Sequence, residues 1–430
     1  MSFEGKRVTV MGLGHFGGGI AAARWLANQG ALVTVTDLAD ENTLTGSLAK
    51  LEGVSITRFR LGGHRVEDFH SADLVVVNPA VRPNDRFLQV AEAAGVPKTT
   101  ETELFLNHCP ARIIGVTGTN GKSTTSAMVA AILRAAGRQA WLGGNIGVSL
   151  LERLDQIGSP DWVVLELSSF QLWHLAGDAR MPQIAVVTNC SPNHLNWHED
   201  YQHYVAAKQR ILALQSAGHA AVLNTLDREV SSWQECLRGR QIPLVSEDEV
   251  PELAVPGEHN RINARLAITA ARAAGCQKHV CQEALRSFSG LAGRLEPIAV
   301  INGRRFINDT TATTPESTIA ALESMDTTTW LLAGGVSKGV DLEALIDSIV
   351  RHTGGAAFFG ATGADLLAGL RARLPDFPAV AKETMKEALR WCWQASRPGD
   401  SILLSPACAS YDQYQNFQQR GEEFVRLVWC

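Results

Sequence analysis

A chain of 430 residues that is 45% apolar and 19% charged has the make-up of a soluble globular protein with two to four domains. Its net charge of −5, without a long basic run, gives nucleic-acid or membrane binding no support; a few local groups could still hold a phosphate. The eight cysteines form no Cys-x-x-Cys pair and no zinc spacing, so they read as reduced thiols and point to the cytoplasm. No segment approaches the ~20 apolar residues of a membrane span, and the first residues lack the apolar core of a signal peptide.

In chain order, the first block alternates β-like runs with helical patterns. Arg7–Met11 reads as a strand, followed by a glycine turn and a helix over 21–29; Leu32–Thr36 and 73–77 follow as strands. Strands alternating with helices predict a parallel sheet. Gly12-x-Gly14-x-x-Gly17 with Asp37 about twenty residues on is a dinucleotide-type fingerprint. His15 in this turn is either near a ligand or an exposed turn residue. The block ends near His108-Cys109-Pro110. A second restarts with a strand at 113–116 and continues with apolar runs at 162–167, 184–188 and 220–223. A third begins near Gly293-Arg294-Leu295-Glu296, with strands at 305–307, 330–332, 356–359 and 401–404. The expected architecture is α/β in three domains: Rossmann-like over 1–108, a central P-loop, ATPase-type parallel-sheet domain over 109–292, and Rossmann-like over 293–430.

Thr117-Gly118-Thr119-Asn120-Gly121-Lys122-Ser123-Thr124 lies between a strand and an Ala-rich helix. Glycines let backbone N–H groups close around phosphates at the positive end of a helix. Lys122 suits the β- and γ-phosphate charge and the Ser123 hydroxyl suits Mg²⁺, so the loop points to ATP although Val116 stands at the first glycine of the strict motif. Glu166 interrupts an apolar strand, where a carboxylate needs a partner: a magnesium ion, or a buried cation. His194 and His198 follow the strand at 184–188, in a loop over the same sheet edge. Lys208 shares a helical stripe with Tyr201, Tyr204, Val205, Ile211 and Leu212. Desolvation there would favour a neutral amine able to take up CO₂ as a carbamate metal ligand; the alternative is a packed stem with its head in water. Asn260 and Asn263 share a helix face and either read a purine edge or cap the helix.

Together, Thr117–Thr124, Glu166-Leu-Ser-Ser-Phe-Gln-Leu172, Asn193-His194-Leu195, Lys208 and His259-Asn260-x-x-Asn263 resemble the Mur ligases of peptidoglycan synthesis. Ser405-Pro-Ala-Cys-Ala-Ser410-x-Asp412-Gln413 and Phe417-x-x-Arg420-Gly421 are similar to the members that add D-glutamate to UDP-N-acetylmuramoyl-L-alanine. The resemblance implies three domains that bind the UDP-sugar, ATP and the amino acid in turn. It places Gly118, Thr119, Asn120, Gly121, Lys122, Ser123, Thr124, Asn263, Arg294 and Asp309 at ATP, and makes Ser123, Glu166, His194 and a carbamylated Lys208 the Mg²⁺ ligands. Lys122, His194, Lys208 and Glu166 are the implied catalytic set. Gly14, His15, Asp37 and Asn145 match contacts to the UDP-linked substrate, and Thr313, Lys338, Ser410 and Phe417 surround the incoming glutamate. A monomer is expected, with no nucleic-acid or membrane partner.

Three positions depart from the family pattern. A lysine is replaced by Thr311, a leucine by Tyr411, and an aspartate after His194-Leu195 by Asn196. They leave room for L-glutamate or another amino acid. Other readings are an NAD-dependent oxidoreductase, which leaves the phosphate loop unexplained, and a folate-type polyglutamate ligase, which lacks a UDP-binding first domain. A catalytically silent nucleotide-binding regulator has the Thr311 change as its best support.

Overall fold

A computed structural model of the protein describes residues 2–14, 17–146, 149–195, 197–255, 257–337 and 341–430, apart from the Glu316 side chain. The chain divides into two compact units, Met1–Pro251 with Ile262–Leu285, and Glu252–Arg261 with Arg286–Cys430.

The first unit holds two sheets. Strands β1 (Arg7–Met11), β2 (Leu32–Thr36), β3 (Arg58–Arg60), β4 (Leu74–Val77) and β5 (Lys98–Thr99) form a sheet in the order β3-β2-β1-β4-β5. All of its pairings are parallel. Its central strands are apolar runs rather than alternations, as expected where helices cover both faces. The helix Gly18–Asn28 lies so close to the turn after β1 that a Cβ on Gly19 would strike the Gly12 and Leu13 carbonyls. A glycine is needed there because of approach, not conformation.

The second sheet contains β6 (Arg112–Thr117), β7 (Ala140–Gly144), β8 (Trp162–Glu166), β9 (Ile184–Val187), β10 (Ala220–Leu223) and β11 (Arg240–Gln241), in the order β11-β10-β9-β6-β8-β7. It is also parallel throughout. Its order reverses between β6 and its neighbours, so the carboxyl ends of β6, β8 and β9 open side by side at a switch point, where such sheets bind ligands. One apolar core runs through both sheets, from Val8, Val10 and Leu26 to Val163, Val187, Leu212 and Trp233.

The second unit contains β12 (Glu296–Ile301), β13 (Arg304–Asn308), β14 (Thr329–Gly334), β15 (Thr353–Phe359), β16 (Ala379–Lys382) and β17 (Ser401–Ala407), in the order β12-β13-β17-β14-β15-β16. Only β12 is antiparallel, joined to β13 by the turn Asn302-Gly303. Core clusters cover both faces, one around Leu331, Phe358 and Leu403 and one around Phe306, Phe359 and Phe424. The α/β class is as expected. The sequence reading missed β3, β5, β7, β11, β12 and β16, all short, peripheral or rich in glycine and charge.

Candidate active site

The phosphate loop is built by β6 and the helix Lys122–Ala135, whose N-cap Gly121 adopts a left-handed conformation (φ 77°). No side chain caps this helix, so its first N–H groups face the loop. The exit of β9 holds the loop in shape. Thr188 Oγ1 donates to Asn120 O at 2.6 Å, Asn120 N–H to Asn189 Oδ1 at 2.8 Å, and Thr119 N–H to Asn189 O at 2.9 Å. Thr119 Oγ1 and Tyr204 OH share a hydrogen bond of 2.9 Å. Lys122 Nζ donates to the Gly118 and Thr119 carbonyls at 3.1 and 2.8 Å, arching over the loop. Thr124 lies in the first turn of the helix and is half-buried.

Glu166, 2% exposed at the end of β8, is the carboxylate the sequence singled out. Its Oε2 accepts from Ser123 Oγ at 2.6 Å and its Oε1 from Asn145 Nδ2 at 2.9 Å. Among the described residues it has no ion pair; two neutral donors hold it, which leaves lone pairs for a cation. Lys208 has not put its head into water. It is 2% exposed, donates to Gly118 O at 2.7 Å, and lies 4.7 Å from the Tyr204 ring. Burial holds this amine well below the ordinary lysine range, the Lys122 charge lowers it further, and Cys190 and Glu166 oppose both. Two ammonium groups on one carbonyl oxygen is an arrangement that a neutral or carbamylated Lys208 would relieve.

His194 differs from the other three. It is exposed, has φ 56°, and packs 4.8 Å from the Phe170 ring. No group of three or more His, Cys, Asp or Glu side chains forms a metal cluster among the described residues. Ser123 and Glu166 thus meet, the Lys208 amine, carried by the helix Tyr201–Ala213, bonds the phosphate loop at Gly118 O, and His194 stands in the loop after β9. Asn263, 4% exposed, accepts from Thr125 Oγ1 at 3.3 Å, and a Cβ on Gly121 would strike it.

At the first sheet, Asp37 is already engaged: Gly14 N–H donates to its Oδ2 at 3.0 Å and Ala39 N–H to its Oδ1 at 2.9 Å. Ser47 Oγ donates to Gly14 O at 2.7 Å and Asn78 Nδ2 to Gly12 O at 3.1 Å. His15, Lys338 and Asn196 lie outside the described residues.

In the second unit, Asp309 is 6% exposed and accepts from Leu295 N–H at 3.1 Å and Ser405 Oγ at 2.7 Å. Burial pushes its carboxyl up to about 7 against these hydrogen bonds and the Arg294 charge. Arg294 itself is exposed. Thr311 has turned its hydroxyl to Gly293 O (2.8 Å), and Thr313 N–H donates to Thr311 O at 2.9 Å. Ser410 is 2% exposed, and its Oγ has no hydrogen-bond partner among the described residues. Phe417 is half-buried, and its carbonyl accepts from Thr310 Oγ1 at 2.8 Å.

Sequence reasoning gave no role to several residues that shape these loops: Thr188, Asn189 and Asn78, and also Ser405 and Arg420, which were quoted in motifs. Arg420 is fully buried and donates to Thr310 O and Cys408 O, both at 3.0 Å. The first two end a strand whose apolar run had been recognised, a position that could have flagged them.

Three family models match in chain order: "Mur ligase MurD-like, N-terminal domain" over 6–99, "Mur ligase middle domain" over 116–249, and "Mur ligase, glutamate ligase domain" over 293–408. The first of these spans the glycine turn at Gly12–Gly14. The chain is 36% identical over 467 residues to the UDP-N-acetylmuramoylalanine–D-glutamate ligase of Roseiflexus sp. (strain RS-1), covering 100% of this chain and 99% of that one. It is 34% identical over 450 residues to the enzyme of that name from Symbiobacterium thermophilum, covering 98% of each. The crystal structure of UDP-N-acetylmuramate–alanine ligase MurC from Thermotoga maritima shares the fold at TM-score 0.62 and 19% identity, over 99% of each chain. Domain by domain and over its full length, the chain belongs to the Mur ligase family.

Proposed function

We propose that the protein uses ATP to join D-glutamate to UDP-N-acetylmuramoyl-L-alanine in peptidoglycan precursor synthesis. One observation carries the ATP half of this reading: Ser123, in the first turn of an uncapped helix, is hydrogen-bonded to the buried strand-end Glu166. Full-length similarity to D-glutamate ligases supports the substrate pair. The segments 1–108, 109–292 and 293–430 are assigned to the UDP-linked substrate, ATP and the amino acid. Gly14, His15, Asp37 and Asn145 are assigned to the first and Thr313, Lys338, Ser410 and Phe417 to the last. Asn263, Arg294 and Asp309 are assigned to ATP. The protein is assigned to the cytoplasm as a monomer; eight free cysteines accord with that compartment, and no described helix is long and apolar enough to cross a membrane.

The alanyl carboxylate attacks the γ-phosphorus of ATP, the bond to the β,γ-bridging oxygen breaks, and an acyl phosphate and ADP result. Lys122 offsets the charge gathering on the phosphoryl oxygens, the main device by which proteins speed phosphoryl transfer. Ser123, Glu166, a carbamylated Lys208 and His194 would hold Mg²⁺, and the first two already fit it by chemistry and contact. Bound there, Mg²⁺ would neutralise phosphate charge and orient the γ-group. The glutamate amine then attacks the acyl carbon, and phosphate leaves as the tetrahedral adduct collapses. The buried Ser410 hydroxyl, which has no hydrogen-bond partner among the described residues, is suited to orient a glutamate carboxylate.

Phosphate release from ATP and Mg²⁺, with UDP-N-acetylmuramoyl-L-alanine present and D-glutamate, L-glutamate and other amino acids compared, tests this. Turnover specific to D-glutamate supports the reading. Preference for another amino acid keeps the ligation and shifts specificity to Thr311 and Tyr411. No turnover with any amino acid leaves a nucleotide-binding regulator.

A further inference from the structure

Two aromatic side chains from the nucleotide-binding half of the first unit seize successive carbonyls of a loop in its other half. Trp197 Nε1–H donates to Ala80 O and His174 Nε2–H to Val81 O, each at 2.9 Å. Indole nitrogen is only ever a donor, and a carbonyl partner fixes the proton of His174 on Nε2. The loop they grip leaves the carboxyl end of β4 and is continuous with the Gly12–Gly14 turn. Asn78 N–H donates to Met11 O at 2.9 Å and Asn78 Nδ2 to Gly12 O at 3.1 Å, while Gly14 N–H holds Asp37.

The other ends of the two grips lead to the phosphate site. His174 is the C-cap of the helix Ser169–Trp173, which begins three residues after Glu166. Trp197 and His198 both donate their backbone N–H to His194 O, at 2.9 and 3.0 Å. Phe170 packs against His194 and Trp197 at 4.8 and 4.9 Å and stacks on His198, whose Nε2 lies 2.9 Å from Ser169 Oγ. Glu166 and His194 thus each lie a few residues along the chain from a side chain that holds the substrate loop.

We infer that Trp197 and His174 are positioning residues that couple the UDP-linked-substrate site to the site for ATP and its metal. The inference rests on the functional reading above. Substrate seated at the Gly12–Gly14 turn stiffens the loop 78–82, and the two hydrogen bonds pass that order to the segments bearing His194 and Glu166. By reciprocity, a nucleotide with its metal tightens the UDP-linked substrate by the same factor.

The test is titration calorimetry of the full chain with a non-hydrolysable ATP analogue and Mg²⁺, with and without UDP-N-acetylmuramoyl-L-alanine. The wild-type protein is expected to bind the analogue on the order of tenfold more tightly when the second ligand is present. Trp197→Phe and His174→Phe keep the ring but lose the donor, and in each the factor falls toward one; His174→Gln, which keeps an N–H donor, retains it. Should Trp197→Phe lose its cooperative melt, His174→Phe reads the other arm alone. Folded variants that keep the wild-type factor, or a wild-type protein with no coupling, overturn the inference. Wild-type turnover separates this from failure of the functional reading: turnover with unchanged coupling sinks the inference alone, and no turnover sinks both.

Discussion

Ser123 Oγ donates to Glu166 Oε2 at 2.6 Å, tying the first turn of the nucleotide helix to the end of β8. The bond holds a buried carboxylate where its second oxygen already has Asn145 as partner. Glu166→Gln preserves the size of the side chain and removes its charge. The variant is expected to lose about 100-fold or more in kcat, the scale for removing a preorganised electrostatic group, with its melting temperature close to wild type. Activity retained within a few-fold over a magnesium titration would remove Glu166 from the metal site.

Lys208 combines burial with a second ammonium on the same carbonyl, and both push it toward neutrality. An unprotonated amine reacts reversibly with CO₂. Protein kept in CO₂-depleted buffer should therefore lose activity and recover it on addition of bicarbonate. Carbon-13 NMR with labelled bicarbonate should show a carbamate signal that is absent from Lys208→Ala. Full activity without CO₂ would leave Lys208 as a buried amine bound to Gly118 O.

Arg420 is fully buried and shares its donors between Thr310 O and Oγ1, Cys408 O and Gly334 O. These acceptors sit on three loops at the carboxyl end of the sheet, one of which leads to Ser410. Arg420→Met would fill the space and orphan the carbonyls, at about 2–4 kcal/mol of stability. Chemical denaturation measures that loss. Steady-state kinetics should show a raised KM for the amino acid with a smaller change in that for ATP.

Asp309 gives a pH signature. Burial raises its carboxyl from 3.8 to about 7, so the folded protein keeps a proton that the unfolded chain has released. Its contribution to stability is complete below the unfolded value and is lost as pH rises through about 7. Asp309→Asn, which can still accept from Leu295 N–H and can donate to Ser405, should be less sensitive to pH between about 5 and 8. At about pH 8 it should be the more stable protein by on the order of 2 kcal/mol. Parallel melting curves for the two proteins across that range would contradict this.

The phosphate loop was legible in the sequence because strand, glycines and helix follow one another without interruption, and a single carboxylate in the run of β8 calls for a partner, whether a metal ion or a buried cation. Lys208 left two readings, and packing removes only the one with its head in water: the helix turns its amine onto Gly118 O. Asn189 and Thr188 went unrecognised because polar residues after a strand look like any loop; their role lies in contacts with residues some seventy positions earlier. Arg420 was hidden for the opposite reason, since an arginine is ordinarily exposed and nothing local signals burial. The strand β12 reads as half-exposed and peripheral, and only its hairpin with β13 fixes it in the sheet.

Ligation through an acyl phosphate leaves its mark on the alanyl carboxylate oxygens. UDP-N-acetylmuramoyl-L-alanine carrying heavy oxygen in that carboxylate is incubated with ATP, Mg²⁺ and D-glutamate, and the released phosphate and the product are weighed by mass spectrometry. An acyl phosphate requires one heavy oxygen in the phosphate for each D-glutamyl product formed. Product without label in the phosphate, or ATP cleavage without product, would contradict it.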